Sequence, residues 1–419
     1  MDTTKYIPTT EAIDHAATVL SEILEPTPFM KNNHLSDIYD AEVYLKREDL
    51  QMVRSYKIRG AYNMIRSLSA ESLKNGIVCA SAGNHAQGVA FSCSKLKIVG
   101  SIFMPVTTPK QKIEQVRMFG REFIEIVLTG DTFDAANSAA IRYAEENGKT
   151  FIPPFDHPKV MEGQGTIGKE ILSQAPDKLD YIFVPIGGGG LASGLGSYIK
   201  AMSPETKIIG VEPGGAPCMK AAIENGGPVE LEEIDKFVDG AAVKKAGAKT
   251  YEVCREVLDD IVVVPEGAVC TTIIQMYNKS AIVVEPAGAL SSAALRFYAD
   301  KIKGKKVACI VSGSNNDITR MEEIREKSLL YEGLKHYFIV EFPQKSGVIV
   351  SFINNVIGPS DDLVYIQYIK KTNKNFGPAL IGIELASKED FEPLIERMNA
   401  LGIKYEYINE NNQLFEILI

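Results

Sequence analysis

The chain has 419 residues, 45% apolar and 24% charged, with 45 basic against 54 acidic side chains for a formal charge of −9. At roughly 150 residues per domain, that length makes two or three domains with a substantial core. The dispersed acidity excludes a nucleic-acid backbone or an anionic membrane surface as main partner, and the composition excludes collagen, low-complexity disorder and coiled coil; a small molecule is left.

The stretch Met1-Asp2-Thr3-Thr4-Lys5 leads into a polar amphipathic segment without the apolar region of a signal peptide. From about residue 40 to 315 short β-rich runs alternate with helical segments. Strands are predicted at Ala41–Lys46, Gly76–Ala80, Ile98–Met104, Phe123–Leu128, Tyr181–Ile186, Lys207–Val211, Ile261–Pro265 and Lys306–Val311. Helices are predicted at Tyr56–Leu68, Asn84–Leu96, Pro109–Phe119, Asp131–Asn147 and Leu191–Ala201. Strands separated by helices imply a parallel sheet covered on both faces, the α/β class. The uncharged run Tyr181–Ile199 could span a bilayer on length alone, but its six glycines and one proline argue against a membrane span.

After Asn316 the pattern changes. Asp317–Leu329 is a charged helix expected to link to, and partly pack on, the body. Then His336–Phe342 (strand), Val348–Val356 (helix), Asp362–Lys370 and Ala379–Leu385 (strands), Lys388–Ala400 (helix) and Lys404–Asn409 (strand) spell βαββαβ, a small α+β domain. Six cysteines without a C-x-x-C pair, in or beside apolar segments, read as core residues of a reducing compartment, placing the protein in the cytoplasm.

Four segments carry chemistry. In Ser55-Tyr56-Lys57-Ile58-Arg59-Gly60-Ala61, Lys57 stands near a helix start, where the macrodipole disfavours a cation; such a lysine is suited to react as a neutral amine, the plainer reading being a solvated lysine. Ser81-Ala82-Gly83-Asn84-His85 follows a strand and opens a helix, forming a cup of amides for a carboxylate; N-capping explains one of its polar residues. Gly187-Gly188-Gly189-Gly190-Leu191, again between strand and helix, can turn its N–H groups on a phosphate. Gly187-x-Gly189-x-x-Ala192 also matches a dinucleotide fingerprint, with Glu212 after the next strand, so a nicotinamide-dependent oxidoreductase remains a rival at this point. Ser312, in Ser312-Gly313-Ser314-Asn315, stands at another strand end and can bond a ligand ring nitrogen or cap a helix. Four sites at strand C-terminal ends converge on one crevice.

Together with Lys46-Arg47-Glu48-Asp49 and Glu285-Pro286-Ala287-Gly288-Ala289, these segments resemble the fold-type II pyridoxal-phosphate enzymes, which have two tryptophan-synthase-β-like α/β subdomains, and specifically the biosynthetic threonine dehydratases, with a single C-terminal ACT-like domain. The resemblance implies a catalytic domain over 1–325 with a smaller subdomain over roughly 55–158 inserted within it, a linker over 326–335 and an ACT-like regulatory domain over 336–419, with pyridoxal 5'-phosphate as cofactor and Lys57 as the lysine that carries it. By the same resemblance Gly187, Gly188, Gly189, Gly190 and Leu191 hold the phosphate, Asn84 the ring hydroxyl and Ser312 the pyridine nitrogen. Ser81, Ala82, Gly83, Asn84 and His85 hold the substrate carboxylate. It further implies L-threonine as substrate and L-serine as a slower one, isoleucine and valine as effectors, and a homotetramer.

Racemase relatives place a serine where this chain has Ala82, which favours elimination. In the C-terminal region the family's Arg-Pro-Gly-Ala-Leu stretch reads Lys345-Ser346-Gly347-Val348-Ile349. Relatives with a metal near the crevice use an aspartate where Cys218 stands, so no strong divalent site is expected beside Glu212 and Ala216. A catalytically silent amino-acid sensor would account for the C-terminal domain but leaves Lys57 idle.

Overall fold

A computed structural model describes residues 6–370 and 375–418. The chain forms two compact units, Met1–Ile318 and Thr319–Ile419. In the first, the strands are β1 (Phe29–Lys31), β2 (Glu42–Arg47), β3 (Ile77–Ala80), β4 (Gly100–Met104) and β5 (Ile124–Leu128). They continue with β6 (Thr150–Phe151), β7 (Tyr181–Pro185), β8 (Lys207–Pro213), β9 (Asp260–Val264) and β10 (Lys306–Val311). The second unit holds β11 (Lys335–Pro343), β12 (Asp362–Tyr368), β13 (Phe376–Glu384) and β14 (Lys404–Tyr407).

Unit one contains two sheets. The larger runs β1-β2-β10-β7-β8-β9 and the smaller β5-β4-β3-β6. Every pairing is parallel except β1 on β2. Parallel strands covered on both faces need apolar side chains throughout, and β3 and β4 are buried at every position. The α/β expectation holds.

Several of the helices that sequence periodicity missed bear glycines. Pro158–Gln174 contains Gly163, Gly165 and Gly168, which lower helix propensity, yet it is the longest helix described, with proline in its first turn. Its glycines buy proximity: a Cβ at Gly165 would lie 2.9 Å from the Gly194 carbonyl of the helix Gly190–Met202. Ala248–Val257, Glu266–Ser280 and Pro286–Ala293 were likewise not read from the sequence.

Unit two has the expected βαββαβ order, as a sheet β12-β13-β11-β14, antiparallel at each pairing, over the helices Val348–Val356 and Phe391–Ala400. Phe338, Ile381, Leu394 and Met398 form part of its core. The charged helix Met321–Tyr331, expected as a linker packing on the body, belongs to this unit: its Glu326 accepts a hydrogen bond from Tyr337 at 2.7 Å and pairs with Lys335, and its Arg325 binds Glu384 at 2.6 Å. Among the described residues no helix is long and apolar enough to cross a membrane.

Candidate active site

The site grows from a meeting of two segments. Ser55 and Gly313 form an isolated antiparallel bridge, with Tyr56 N donating to Ser312 O at 3.1 Å and Ser314 N to Arg54 O at 2.9 Å. This stitching places the start of the helix Lys57–Arg66 beside the end of β10. Lys57, Asn84, Gly187 and Ser312, singled out separately in the sequence, line one cavity together with Tyr56 and Glu285.

Lys57 is the first residue of its helix and has no acidic partner in that turn. Its Nζ donates to the Pro154 carbonyl at 3.2 Å and sits 5.3 Å from the centre of the Tyr56 ring. Desolvation lowers the amine to about 8, with the Glu285 charge opposing the shift. An amine in that range is partly neutral, and so nucleophilic, near neutral pH.

Asn84 opens the helix Asn84–Leu96. Its Nδ2 donates to Glu285 Oε1 at 2.6 Å, and its Oδ1 accepts from Asn315 Nδ2 at 2.6 Å. Side-chain capping by Ser81 or Asn84 is not what the loop does: Gly83 is the N-cap, and Ser81 Oγ accepts from Gly83 N at 3.2 Å. Among the described residues the amides of Ala82, Asn84 and His85 donate to no protein acceptor, which leaves them for an anion. The His85 ring turns away, its Nε2 bonded to the Ile152 carbonyl at 2.9 Å, and burial followed by the Lys57 charge lowers it to about 3. Ser81, Ala82, Gly83 and His85 do not line the cavity that holds Lys57.

The glycine segment connects β7 to the helix Gly190–Met202. Its carbonyls are taken: Gly187 O accepts from Cys218 Sγ at 3.4 Å, Gly188 O from Thr250 Oγ1 at 2.6 Å and Gly189 O from Ser193 N at 2.9 Å. Among the described residues the five amides from Gly187 to Leu191 have no protein acceptor. A Cβ at Gly188 would strike the Phe155 ring at 2.3 Å, and Gly189 has φ +91°. The result is a set of free donors at a helix N-terminus, the donor chemistry a phosphate requires.

Ser312 is buried, and its Oγ donates to the Ala287 carbonyl at 3.0 Å; the hydroxyl is a rotor that can redirect its proton to a ring nitrogen. Lysine, amide, neutral hydroxyl and phosphate cup thus fit pyridoxal phosphate. Glu212 does not serve as the acidic residue of a dinucleotide fingerprint: its carboxylate accepts from Met219 N at 2.7 Å and Lys220 N at 2.8 Å, at the start of the helix Cys218–Asn225.

Sequence reasoning missed Gly240 and Ala241, which line the cavity from a loop with no periodicity to mark it. Glu285 and Ala287 entered only as part of a resembling motif, although an acidic residue just before Pro-Ala-Gly is a visible signal.

Residues 20–313 match the family model described as pyridoxal-phosphate dependent enzyme, and residues 326–418 match that described as C-terminal regulatory domain of threonine dehydratase. A biosynthetic L-threonine dehydratase of Halalkalibacterium halodurans is 56% identical, over 98% of this chain and 99% of that protein. The processed form of threonine deaminase isoform 2 from Solanum lycopersicum superposes with a TM-score of 0.72 at 38% identity, covering 77% of this chain and 96% of that one. Maize serine racemase gives 0.71 at 30% identity, covering 78% and 99%. The chain therefore belongs to the pyridoxal-phosphate dependent enzymes, in the group of biosynthetic threonine dehydratases that carry a C-terminal regulatory domain.

Proposed function

We propose that the chain converts L-threonine to 2-oxobutanoate and ammonia, and L-serine more slowly to pyruvate, as the first step of isoleucine biosynthesis. The observation that carries this reading is the convergence of Lys57, Asn84, Gly187 and Ser312 on one cavity. When bound, pyridoxal phosphate supplies the electron sink for charge developing at the substrate α-carbon.

The protein's part follows from its residues. The amides from Gly187 to Leu191 grip the phosphate, and the Asn84 amide meets the ring hydroxyl. Ser312, a neutral hydroxyl where a carboxylate would enforce protonation, leaves the ring nitrogen a modest acceptor, which favours prompt loss of the β-hydroxyl over reprotonation. The loop amides around Ser81–His85 hold the substrate carboxylate. The Lys57 amine, lowered to about 8 by desolvation, takes the α-proton. The β-hydroxyl leaves as water, the proton it needs balanced by the one that Lys57 takes from the α-carbon, and the enamine released is hydrolysed to keto acid and ammonia. Ala82 offers no proton on the opposite face, so elimination prevails over racemisation.

The C-terminal unit reads branched-chain amino acids, isoleucine inhibiting and valine opposing it. We place the enzyme in the cytoplasm as a homotetramer; six buried free cysteines support a reducing compartment. A keto-acid assay with threonine and serine, with and without isoleucine and valine, tests reaction, preference and regulation together. Lys57→Ala should abolish turnover and the mass increment that borohydride fixes on the wild-type lysine. Substantial D-serine formation, or an unmodified Lys57 in active enzyme, would overturn the reading.

A further inference from the structure

Glu285 is the N-cap of the helix Pro286–Ala293, yet its side chain makes no capping hydrogen bond to that helix. A carboxylate at an N-cap ordinarily accepts from the first-turn amides. Here it accepts from Asn84 Nδ2 at 2.6 Å instead. A glycine makes room for it: a Cβ at Gly313 would lie 2.4 Å from Glu285 Oε1.

The bond belongs to a chain whose polarity is set at both ends. Asn315 Nδ2 donates to the Val53 carbonyl at 3.0 Å and to Asn84 Oδ1 at 2.6 Å. Both termini, the Val53 carbonyl and the Glu285 carboxylate, are acceptors. Turning either amide over would set oxygen against oxygen or NH2 against NH2. Asn84 is thereby left with one unused N–H, and its carbonyl oxygen is occupied.

We propose that Glu285 and Asn315 are positioning residues that clamp the Asn84 amide as a donor toward the cavity beside Lys57. The proposal rests on the reading of Asn84 as the contact to the cofactor ring hydroxyl. The clamp explains why a costly buried carboxyl is kept in a cavity that has no direct ion pair to it among the described residues. Its charged and titratable surroundings are Lys57, Tyr56, Asp239 and Lys112. Burial, followed by the Asp239 charge, raises this carboxyl to about 7, so the clamp is stiffest on the alkaline side of neutrality.

The test is a double-mutant cycle on pyridoxal-phosphate affinity, read by absorbance titration of the apoenzyme. Glu285→Ala should weaken binding about tenfold or more, the loss expected for a hydrogen bond to a charged group. Asn315→Ala should act in the same direction, and Glu285→Gln, which keeps an acceptor for Asn84, should recover most of the affinity. In the Asn84→Ala background the Glu285→Ala effect should vanish. An undiminished effect in that background, or none in the wild-type background, would overturn the clamp. Should Asn84→Ala alone leave affinity unchanged, the cofactor-contact reading fails. The clamp is then judged by a crystal structure of the Glu285→Ala apoenzyme, where an unmoved Asn84 amide refutes it and a displaced one supports it.

Discussion

Arg59 donates from Nε and Nη2 to the two carboxylate oxygens of Glu48, both at 2.8 Å, and neither side chain reaches solvent. The same guanidinium binds Glu170 at 2.6 and 2.9 Å, and Lys46 closes the group on Glu170 at 2.6 Å. Two cations and two carboxylates join β2, the Lys57 helix and the helix Pro158–Gln174 with no net charge. The helix that presents Lys57 is held two residues further on by this group.

Removing one member strands a buried charge. Arg59→Leu should destabilise the protein by ~3–5 kcal/mol, read as a lower urea midpoint of the apoenzyme with an unchanged slope. Adding Glu48→Gln to it should recover part of the loss, because the stranded carboxylate is gone. Burial pushes Glu48 upward, and Arg59, Lys46 and Thr27 together outweigh it, so its carboxyl stands below the ordinary range. A depressed carboxyl contributes stability above its unfolded pKa and loses it as pH falls through the folded value, so the network weakens only in acid.

Gly188 should tolerate no side chain. Its missing Cβ is the space that the Phe155 ring occupies, and its carbonyl is tied to Thr250. Gly188→Ala must displace either the ring or the loop, and the loop carries the free amides. Pyridoxal-phosphate affinity should fall by about tenfold or more, since several charge-assisted hydrogen bonds are disturbed together. Phe155→Ala in the same chain should restore part of that affinity. Absorbance titration checks both, and an unchanged affinity in Gly188→Ala would remove the cup from the cofactor's phosphate.

Much of the fold was legible because burial on both faces writes itself as apolar runs: β10 and the helices Asn84–Leu96 and Val348–Val356 have the boundaries that the pattern predicts. The failures have local causes. Pro158–Gln174 spends its helix propensity on glycines that only a neighbouring helix explains. β1 and β6, of three and two residues, exist through their partners rather than their sequence. In the site, chain-local features such as the tetraglycine and the lysine were visible. The meeting of Asn84 with Glu285, 201 positions apart, was not, because no periodicity encodes a contact across two segments.

His85 should behave as a neutral ring throughout the working range. Its folded value is about 3, against 6.5 for a free imidazole, because burial and then Lys57 oppose the cation. Between those values the unfolded chain binds a proton that the folded chain refuses. Stability therefore rises with pH through that window and is lost as pH falls from 6.5 toward 3. NMR of ring-labelled protein should show no His85 titration above about pH 4, and the activity profile should carry no limb from it. A midpoint near 6.5 would show the ring to be solvated and the loop open.

The crossing of Pro158–Gln174 over Gly190–Met202 offers a sign test between two effects. On propensity alone, glycine to alanine in a helix stabilises by about 1 kcal/mol. At Gly194, however, a Cβ would come 2.0 Å from the Met161 carbonyl and 2.7 Å from Gly165 N, both backbone atoms that cannot swing aside. Overpacking against a rigid neighbour costs about 1–3 kcal/mol and occasionally more; here the helices themselves must separate, so the upper end applies and packing outweighs propensity. Gly194→Ala should lower the urea midpoint of the apoenzyme and, by shifting the helix that begins at the glycine cup, weaken pyridoxal-phosphate binding as well. A stabilised Gly194→Ala would mean that the two helices cross further apart than the backbone contact at Met161 requires.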